Sequence, residues 1–456
     1  MTKSKTFAGP CRPQALLLAA LLGLSACNAR ATPPQVSVVS PPDATADRPS
    51  DVCRAAVQGA VRLEPIALAK ALPPRRPAMG GDALAPFYDA LAQTEARRAG
   101  EPLSIVVLGD SHTAGPYFAG RLRERFQERF GSAGPGAMPP GQAQRGYRNA
   151  RVEIRQTGTW TGASSLRTTT PGPFGLALHR LRSDEPGSTI TATAQEPAGF
   201  EKLEASVVRF PDAGAVRVLA DGCPLATIAT AGGGGASRLV ASLPPHTVEV
   251  ALETVDGPVE LLGWRLTRGR GAVLESHGVN GAQMSMLGNL DPEILAGELR
   301  SRDPALIIVA FGTNEAFSTD LTEQRYRASL EERLGQLRRA APRAAVLVVG
   351  PPDSAIAARP APGRKGRRPA GCGWGEPPNL AMVKSVQRRV AHDLGLPYWD
   401  WSRLTKGACG VNAMARRDPP LAYRDRVHFT ADGYAQAADA LFRFLMDGYA
   451  KRRRVS

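Results

Sequence analysis

The fold of this chain is decided by residues 103–112, which read Leu-Ser-Ile-Val-Val-Leu-Gly-Asp-Ser-His. The first part of this stretch is apolar and rich in β-branched residues, which is typical of a buried strand. Large apolar residues then recur every four positions, between arginines and glutamates, at Phe118, Leu122, Phe126 and Phe130. That spacing predicts an amphipathic helix. A buried strand followed closely by a helix indicates an α/β fold with a parallel sheet.

The C-terminal part of the chain repeats this alternation. Further buried strands are predicted at 305–311, 345–350 and 396–401. Helices are predicted through 326–337, 378–394 and 431–447, where apolar residues recur on one face. Together with the first unit, these segments predict a three-layer domain, in which helices flank a parallel sheet on both sides.

The stretch 148–274 has a different pattern. Short segments of alternating polarity predict strands at 152–156, 189–194, 205–209, 215–220, 247–254 and 260–267. Turn-forming residues separate them, such as Pro-Asp-Ala-Gly at 211–214. We therefore expect an antiparallel β-sandwich of jelly-roll type. It is inserted in an α/β domain that comprises 51–147 and 275–450.

The N-terminus has the pattern of an export signal. A basic start precedes an apolar stretch that is too short to span a bilayer and that ends in Leu-Ser-Ala-Cys27. This tetrapeptide resembles the lipobox of bacterial lipoproteins, which implies lipidation of Cys27 and a membrane anchor; ordinary signal cleavage is the alternative. Residues 1–27 are thus interpreted as a signal peptide. Residues 28–50, rich in Pro, Ala, Ser, Thr and Asp, are interpreted as a disordered linker.

Export bears on the cysteines, because disulfides persist in oxidising compartments. Four remain once Cys11 and the lipobox cysteine are set aside, and four allow three pairings. We favour Cys372–Cys409, since both flank the C-terminal part of one domain, which leaves Cys53 with Cys223. Free buried thiols are the alternative.

The 456-residue chain carries a formal net charge of +15, which favours attraction to anionic surfaces such as cell-wall polymers or lipid headgroups. A solvated arginine-rich surface is the other interpretation. Nucleic acid is not expected as a partner, because export contradicts it and the sequence has no nucleic-acid-binding module. The sequence also lacks His-Glu-x-x-His, Cys-x-x-Cys and phosphate-loop motifs, so neither a metal nor a cofactor is implied.

Two motifs suggest nucleophilic catalysis. Ser111 follows Gly-Asp where the first strand ends and a helix begins, and ligands bind at the carboxyl ends of parallel strands. A serine hydroxyl needs a general base, and Asp425-Arg-Val-His428 supplies a histidine with a carboxylate that can orient it. Helix capping is the alternative role for the serine motif, and a capping or surface pair is the alternative for Asp425 and His428.

Two further motifs suggest donors for an oxyanion. Asn314, in Gly-Thr-Asn-Glu after the second strand, offers a side-chain amide. Gly281, in Val-Asn-Gly-Ala, lets the backbone approach a substrate and present its N–H. An ordinary turn is the alternative for the asparagine.

In this order, the four motifs resemble the blocks of the SGNH (GDSL-like) hydrolases. The resemblance implies Ser111 as nucleophile, Gly281 and Asn314 as oxyanion donors, His428 as base and Asp425 as its partner. His112 and Glu315 depart from the commoner Leu and Asp. We interpret His112 as a substrate contact or a structural residue. The α/β-hydrolase motif Gly-x-Ser-x-Gly is absent from the sequence.

The sandwich between the serine and glycine blocks is similar to that of periplasmic peptidoglycan O-acetylesterases, in which the insert looks like a carbohydrate-binding domain. The resemblance implies an exported serine esterase of the cell envelope that hydrolyses O-acetyl esters of a glycan. Trp160 and Trp264 of the insert are candidates to hold the glycan, with core packing as the alternative. The alternative functions are a lipase or broad carboxylesterase, a polysaccharide O-acetyltransferase, and a non-catalytic wall-binding lipoprotein.

Overall fold

The computed structural model describes residue 53 and residues 61–66, 82–144, 147–166, 172–357 and 372–455. The expected signal peptide, lipidated Cys27 and linker lie outside these residues. No helix among the described residues is both long enough and apolar enough to cross a membrane.

The strands of the described residues are β1 (Val61–Pro65), β2 (Leu103–Gly109), β3 (Gly136–Met138), β4 (Val152–Thr157), β5 (Thr161–Ser164), β6 (His179–Ser183), β7 (Thr189–Ala194), β8 (Phe200–Val208), β9 (Ala215–Ala220), β10 (Cys223–Ala229), β11 (Ala236–Thr247), β12 (Glu249–Asp256), β13 (Val259–Thr267), β14 (Ala272–Gly278), β15 (Leu306–Ala310), β16 (Ala345–Gly350), β17 (Ile356–Ala357), β18 (Trp374–Gly375) and β19 (Tyr398–Asp400). The α-helices are α1 (Ala85–Glu95), α2 (Ser111–Ala114), α3 (Phe118–Phe130), α4 (Pro292–Arg302), α5 (Thr313–Phe317), α6 (Glu323–Ala340), α7 (Leu380–Asp393), α8 (Ser402–Thr405), α9 (Gly407–Ala415) and α10 (Ala431–Val455).

A parallel sheet in the order β14-β2-β15-β16-β19 forms the centre of the α/β domain. Alternate residues of its strands enter two separate apolar clusters, because successive side chains of a strand point to opposite faces. α1, α3 and α10 cover one face, and α4, α6 and α7 cover the other. The three-layer α/β architecture predicted from the sequence is confirmed.

Two antiparallel sheets form the β-sandwich. One has the order β1-β11-β8-β13-β6-β5, with β3 also paired to β13, and the other has the order β10-β9-β12-β7-β4. Both sheets contribute to a single apolar core. Strands β1 and β3 join the sandwich from outside the expected range 148–274, and the end of that range falls within β14.

β14 is a buried parallel strand that the sequence pattern does not predict, because its middle carries Glu275 and His277. Glu275 is fully buried and forms ion pairs with Arg265 of β13 and Arg302 of α4. Burial alone would raise the pKa of Glu275, but these guanidinium groups hold it well below its usual range. The paired charges make a polar strand compatible with burial on both faces.

Two disulfides are present among the described residues. Cys53 is joined to Cys223 of β10, with 5.3 Å between their Cα atoms. Cys372 is joined to Cys409 of α9, with 5.6 Å between the Cα atoms. The second disulfide ties the segment before β18 to the helix that precedes the C-terminal part of the α/β domain.

Candidate active site

The carboxyl ends of the three adjacent strands β14, β2 and β15 meet at one edge of the sheet. Gly109, near the end of β2, lies in register with Gly278 of β14 on one side and with Ala310 of β15 on the other. α2 folds back closely onto these ends, and a Cβ atom added at Gly109 or Gly278 would lie less than 3 Å from Thr113 Oγ1. The two glycines therefore bring the loops after three strands into contact.

Ser111 is the first residue of α2, and Asp110 caps this helix by accepting a hydrogen bond from the backbone N–H of His112 at 3.0 Å. The Ser111 hydroxyl lies 2.8 Å from His428 Nε2, although 317 positions separate them in the sequence. On the other side of the imidazole, Nδ1 lies 2.7 Å from Asp425 Oδ2. The three side chains form a continuous hydrogen-bonded chain from hydroxyl to carboxylate.

The turn from Asp425 to His428 holds the carboxylate and the imidazole together. Asp425 Oδ1 accepts hydrogen bonds from the backbone N–H groups of Val427 at 3.0 Å and His428 at 3.1 Å, which leaves Oδ2 for the imidazole. Partial burial opposes ionisation of Asp425, but the hydrogen bonds from the His428 side chain and the two backbone groups lower its pKa to about 2. Asp425 is therefore an anion near neutral pH.

The two expected oxyanion donors lie after the strands that flank β2. Gly281 follows β14, is exposed and has a φ of +81°, a conformation that favours glycine. Asn314 lies in α5, directly after β15, and its Nδ2 donates one hydrogen bond to the carbonyl of Ala282 at 2.9 Å. An amide group has a second N–H, so this contact orients Asn314 without using its full donor capacity.

Two buried carboxyl groups support these loops. Glu315, next to Asn314, accepts a hydrogen bond from the backbone N–H of Met284 at 2.7 Å. This contact ties α5 to the segment that follows Gly281. Burial is the main cause that raises the pKa of Glu315 to about 7, and nearby Asp110 adds to the effect. Burial likewise raises the pKa of Asp110 to about 6. The sequence marked Glu315 only as a departure from the commoner aspartate, and its supporting contact was not foreseen.

His112 is buried beside the site rather than open to it. Its Nδ1 lies 3.0 Å from the Tyr434 hydroxyl, and its ring centroid is 5.5 Å from that of His428. Burial is the main cause that lowers the pKa of His112 to about 3. A neutral, enclosed imidazole of this kind is suited to packing behind His428. This agrees with the structural role, rather than the substrate contact, of the two roles expected for His112.

The sandwich contacts both ends of the segment that carries Gly281. Gln144 Nε2 donates to the carbonyl of Gly278 at 3.0 Å, and Asn289 Nδ2 donates to the carbonyl of Ser165 at 2.7 Å. Trp264 is only 2% exposed and lies in the sandwich core, so core packing is the correct interpretation for this residue. A cavity of about 600 Å³ opens beside Gln144, lined by Gly141, Gln142, Tyr147, Arg148, Asn149, Ala150, Val152, Glu153, Ile154 and Gln195.

Chemically, this edge of the sheet joins a hydroxyl, an imidazole, a carboxylate and two donor groups. Such a set can carry out acyl transfer through a covalent serine intermediate. Among the described residues, no group of three or more His, Cys, Asp or Glu side chains is arranged to hold a metal ion.

Comparison with known proteins finds a family match over part of the chain and a similar fold. Residues 230–436 match the model of the GDSL-like lipase/acylhydrolase family. The structure of a peptidoglycan O-acetylesterase superimposes with a TM-score of 0.69 and 26% identity, over 81% of this chain and 98% of that one. No curated protein sequence matches the chain.

Other solved structures are less similar. An active-site mutant of a family two carbohydrate esterase from Clostridium thermocellum has a TM-score of 0.26 and 13% identity, over 65% of this chain and 98% of that one. Est24, a carbohydrate acetylesterase from Sinorhizobium meliloti, has a TM-score of 0.27 and 19% identity, over 39% and 79% of the two chains.

Proposed function

We propose that this esterase, whose residues 230–436 match the GDSL-like lipase/acylhydrolase family, removes O-acetyl groups from a glycan of the bacterial cell envelope. The observation that carries this proposal is the hydrogen-bonded chain Ser111–His428–Asp425, with contacts of 2.8 and 2.7 Å, beside the Gly281 and Asn314 loops.

In the proposed reaction, Ser111 Oγ attacks the acetyl carbonyl while His428 Nε2 takes its proton. The backbone N–H groups of Ser111 and Gly281 and the free amide N–H of Asn314 receive the developing oxyanion. His428 then returns the proton to the departing sugar hydroxyl, which leaves an acetyl-enzyme. Water attacks this ester with His428 as base, His428 returns the proton to Ser111 Oγ as the leaving group, and acetate leaves. Asp425 orients the imidazole and stabilises its protonated form throughout.

Two observations support a glycan substrate. The match to the peptidoglycan O-acetylesterase leaves about a fifth of this chain uncovered. The insert is longer than that fifth, so the match includes part of the sandwich. Exposed aromatic side chains also accompany three of the site's loops, namely Tyr117 after α2, Phe317 at the end of α5 and Tyr423 before the Asp425 turn. Aromatic faces with polar neighbours are typical of sites that bind small polar ligands.

Location outside the cytoplasm is part of the same proposal. It is supported by the likeness to an enzyme of peptidoglycan and by the signal-like sequence of residues 1–27. Lipidation of Cys27 stays a prediction from the lipobox, and labelling of the expressed protein with a radioactive fatty acid, compared with Cys27→Ala, tests it.

Hydrolysis of 4-nitrophenyl acetate tests the catalytic assignment. Ser111→Ala and His428→Ala are each expected to lower kcat by at least about 10³-fold, because nucleophile and base act as a unit. His392→Ala is the matched control, since this imidazole is 88% exposed on α7. If Ser111→Ala hydrolysed the ester at the wild-type rate, the proposed function would be wrong.

The substrate class needs a second measurement. The wild-type enzyme is expected to release acetate from O-acetylated peptidoglycan and little fatty acid from long-chain glycerol esters. Tyr117→Ala is expected to raise KM for the polymer several-fold and to leave 4-nitrophenyl acetate hydrolysis unchanged, with the exposed Phe444→Ala as control. Faster release of long-chain acids identifies a lipase, and acetyl transfer that depends on an acceptor glycan identifies a transferase.

A further inference from the structure

The imidazole and its carboxylate lie on an exposed turn rather than on a rigid strand. The side chains of Asp425 and His428 are 48% and 38% exposed. A catalytic hydrogen-bonded chain needs positions fixed to a fraction of an ångström, and a solvated turn does not supply that by itself. The contacts that fix this turn therefore decide how well the proposed site works.

Arg426, between the two, is held on three sides. Its φ of +55° lies in the left-handed region, which an arginine adopts only when its surroundings hold it there. Its carbonyl accepts a hydrogen bond from the backbone N–H of Ala355 at 2.9 Å, which attaches the turn to the segment after β16. Its side chain contacts Trp374 and Asn412, and its Nη1 donates a hydrogen bond to the carbonyl of Arg424.

The side-chain contacts of Arg426 form a clamp. The guanidinium carbon lies 4.0 Å from the centre of the Trp374 ring, which is close for a cation–π contact. Arg426 Nε donates to Asn412 Oδ1 at 3.3 Å, and Asn412 is buried on α9. The Arg426 side chain therefore lies between Trp374 and Asn412.

The Cys372–Cys409 disulfide joins the segments that carry Trp374 and Asn412. Cys372 comes two residues before Trp374, and Cys409 lies on α9, three residues before Asn412. Apart from this bond, Trp374 is held by the short antiparallel pairing of β18 with β17.

We propose that Arg426, clamped between Trp374 and Asn412 and backed by the Cys372–Cys409 disulfide, is the positioning residue that fixes the Asp425–His428 turn against Ser111. The inference rests on the proposed function, because it concerns the precision of that site. Arg426 contacts no reacting atom, so its effect reaches the chemistry only through the geometry of the turn.

Kinetics with 4-nitrophenyl acetate test the clamp. Arg426→Ala keeps the Cβ atom and removes only the clamped side chain, and it is expected to lower kcat about 10-fold with little change in KM. Arg426→Lys keeps a cation over the ring and is expected to recover part of the loss. Arg424→Ala is the matched control, because it removes an equal charge from an exposed position of the same turn.

A coupling experiment separates the clamp from a general loss of stability. The double variant Cys372→Ser/Cys409→Ser is expected to lower kcat in the wild-type background and to have little further effect in Arg426→Ala. Both changes remove the same support of the Asp425–His428 turn. Trp374→Ala is expected to behave like Arg426→Ala, and Trp374→Phe, which keeps a ring, to be milder.

The proposal is overturned if Arg426→Ala has the kcat of Arg424→Ala, or if it changes only KM, which would make Arg426 a substrate contact. Independent, multiplicative losses from Arg426→Ala and the disulfide variant would also overturn it. Should Arg426→Ala fail to fold, Arg426→Lys and Trp374→Phe carry the same test. If Ser111→Ala is inactive and Arg426→Ala is not impaired, only the clamp fails; if Ser111→Ala is active, the proposed function fails.

Discussion

Glu315 provides the sharpest test of the site's electrostatics. Its side chain is only 2% exposed, and the backbone N–H of Met284 donates to one carboxyl oxygen at 2.7 Å. Within the described part of the chain, the other carboxyl oxygen has no hydrogen-bond partner. Burial of this charge without a counter-ion outweighs the backbone hydrogen bonds that favour the anion, which is why the pKa of Glu315 rises from 4.5 to about 7.

The sign of the effect on stability follows from where the proton is held. Between pH 4.5 and about 7, the unfolded chain has released this proton while the folded chain still binds it. Folding therefore weakens as pH rises through this window, and the stabilisation is fully present only below pH 4.5. At about 1.4 kcal/mol for each pH unit, the loss comes to about 3 kcal/mol by pH 8.

Glu315→Gln isolates this contribution. The glutamine stays neutral at every pH, and its carbonyl oxygen still accepts the hydrogen bond from Met284. The free energy of unfolding of the variant minus that of the wild type is thus expected to increase by about 3 kcal/mol between pH 4.5 and pH 8. Taking the difference between the two proteins cancels the titration of the groups they share, apart from the coupling to Asp110.

Urea denaturation at pH 4.5, 6 and 8, with the disulfides intact and with equal m-values in the two proteins, measures this difference. Glu101→Gln, at an exposed position, controls for the loss of one negative charge. A difference that stays constant across the three pH values would refute the reasoning, because it would mean that the folded protein binds this proton no more tightly than the unfolded chain does.

Three further predictions concern the site and its support. Asp425→Asn is expected to lower kcat by about 10³–10⁴-fold with 4-nitrophenyl acetate, because an amide cannot stabilise the imidazolium; near-wild-type kcat would exclude the relay. Asn314→Ala is expected to lower kcat by about 10²–10³-fold and Asn314→Asp to be no better, since a carboxylate donates no hydrogen bond; recovery in the aspartate variant would contradict the donor role. Glu275→Gln is expected to lower the free energy of unfolding in urea by about 3 kcal/mol, because it leaves Arg302 without its anion and leaves Arg265 with Glu204 as its remaining partner; a loss under about 1 kcal/mol would mean that water reaches Arg302.

The central strands could be predicted from the sequence because their signal is local. The strand expected in the first part of 103–112 is β2 (Leu103–Gly109), and the one expected at 345–350 is β16 (Ala345–Gly350). Apolar, β-branched runs of this length have few other stable environments than a buried sheet. β14 gave no such signal, because its burial depends on ion pairs between its glutamate and two arginines of other elements. These are Arg265 of β13 and Arg302 of α4.

The residues of the site likewise divide into those with a local sequence signal and those that depend on long-range contacts. Ser111 and Asn314 follow strands that the sequence predicts, so their common location could be inferred from the rule for parallel sheets. Gly281 could be placed beside them only through the resemblance of the motifs, because the strand before it was not predicted. The supports around them could not, because each is a single long-range contact. Nothing near Arg426 in the sequence indicates a tryptophan 52 positions earlier, and nothing near Glu315 indicates the backbone N–H of Met284. Such contacts appear only after the chain is folded.

The position of the sandwich in the chain also has a physical basis. The donors after β2, β14 and β15 converge only if β14 pairs in register with β2, so any insertion between these two strands must return the chain to a fixed place. β14 is the edge strand of the sheet, and an insertion before an edge strand leaves the other pairings undisturbed. The buried ion pairs of Glu275 then lock the returning strand to β13 of the sandwich and to α4 of the α/β domain. The hydrogen bonds from Gln144 and to Ser165 fasten the sandwich to both ends of the segment that carries Gly281, so the returning chain is held at the edge of the site.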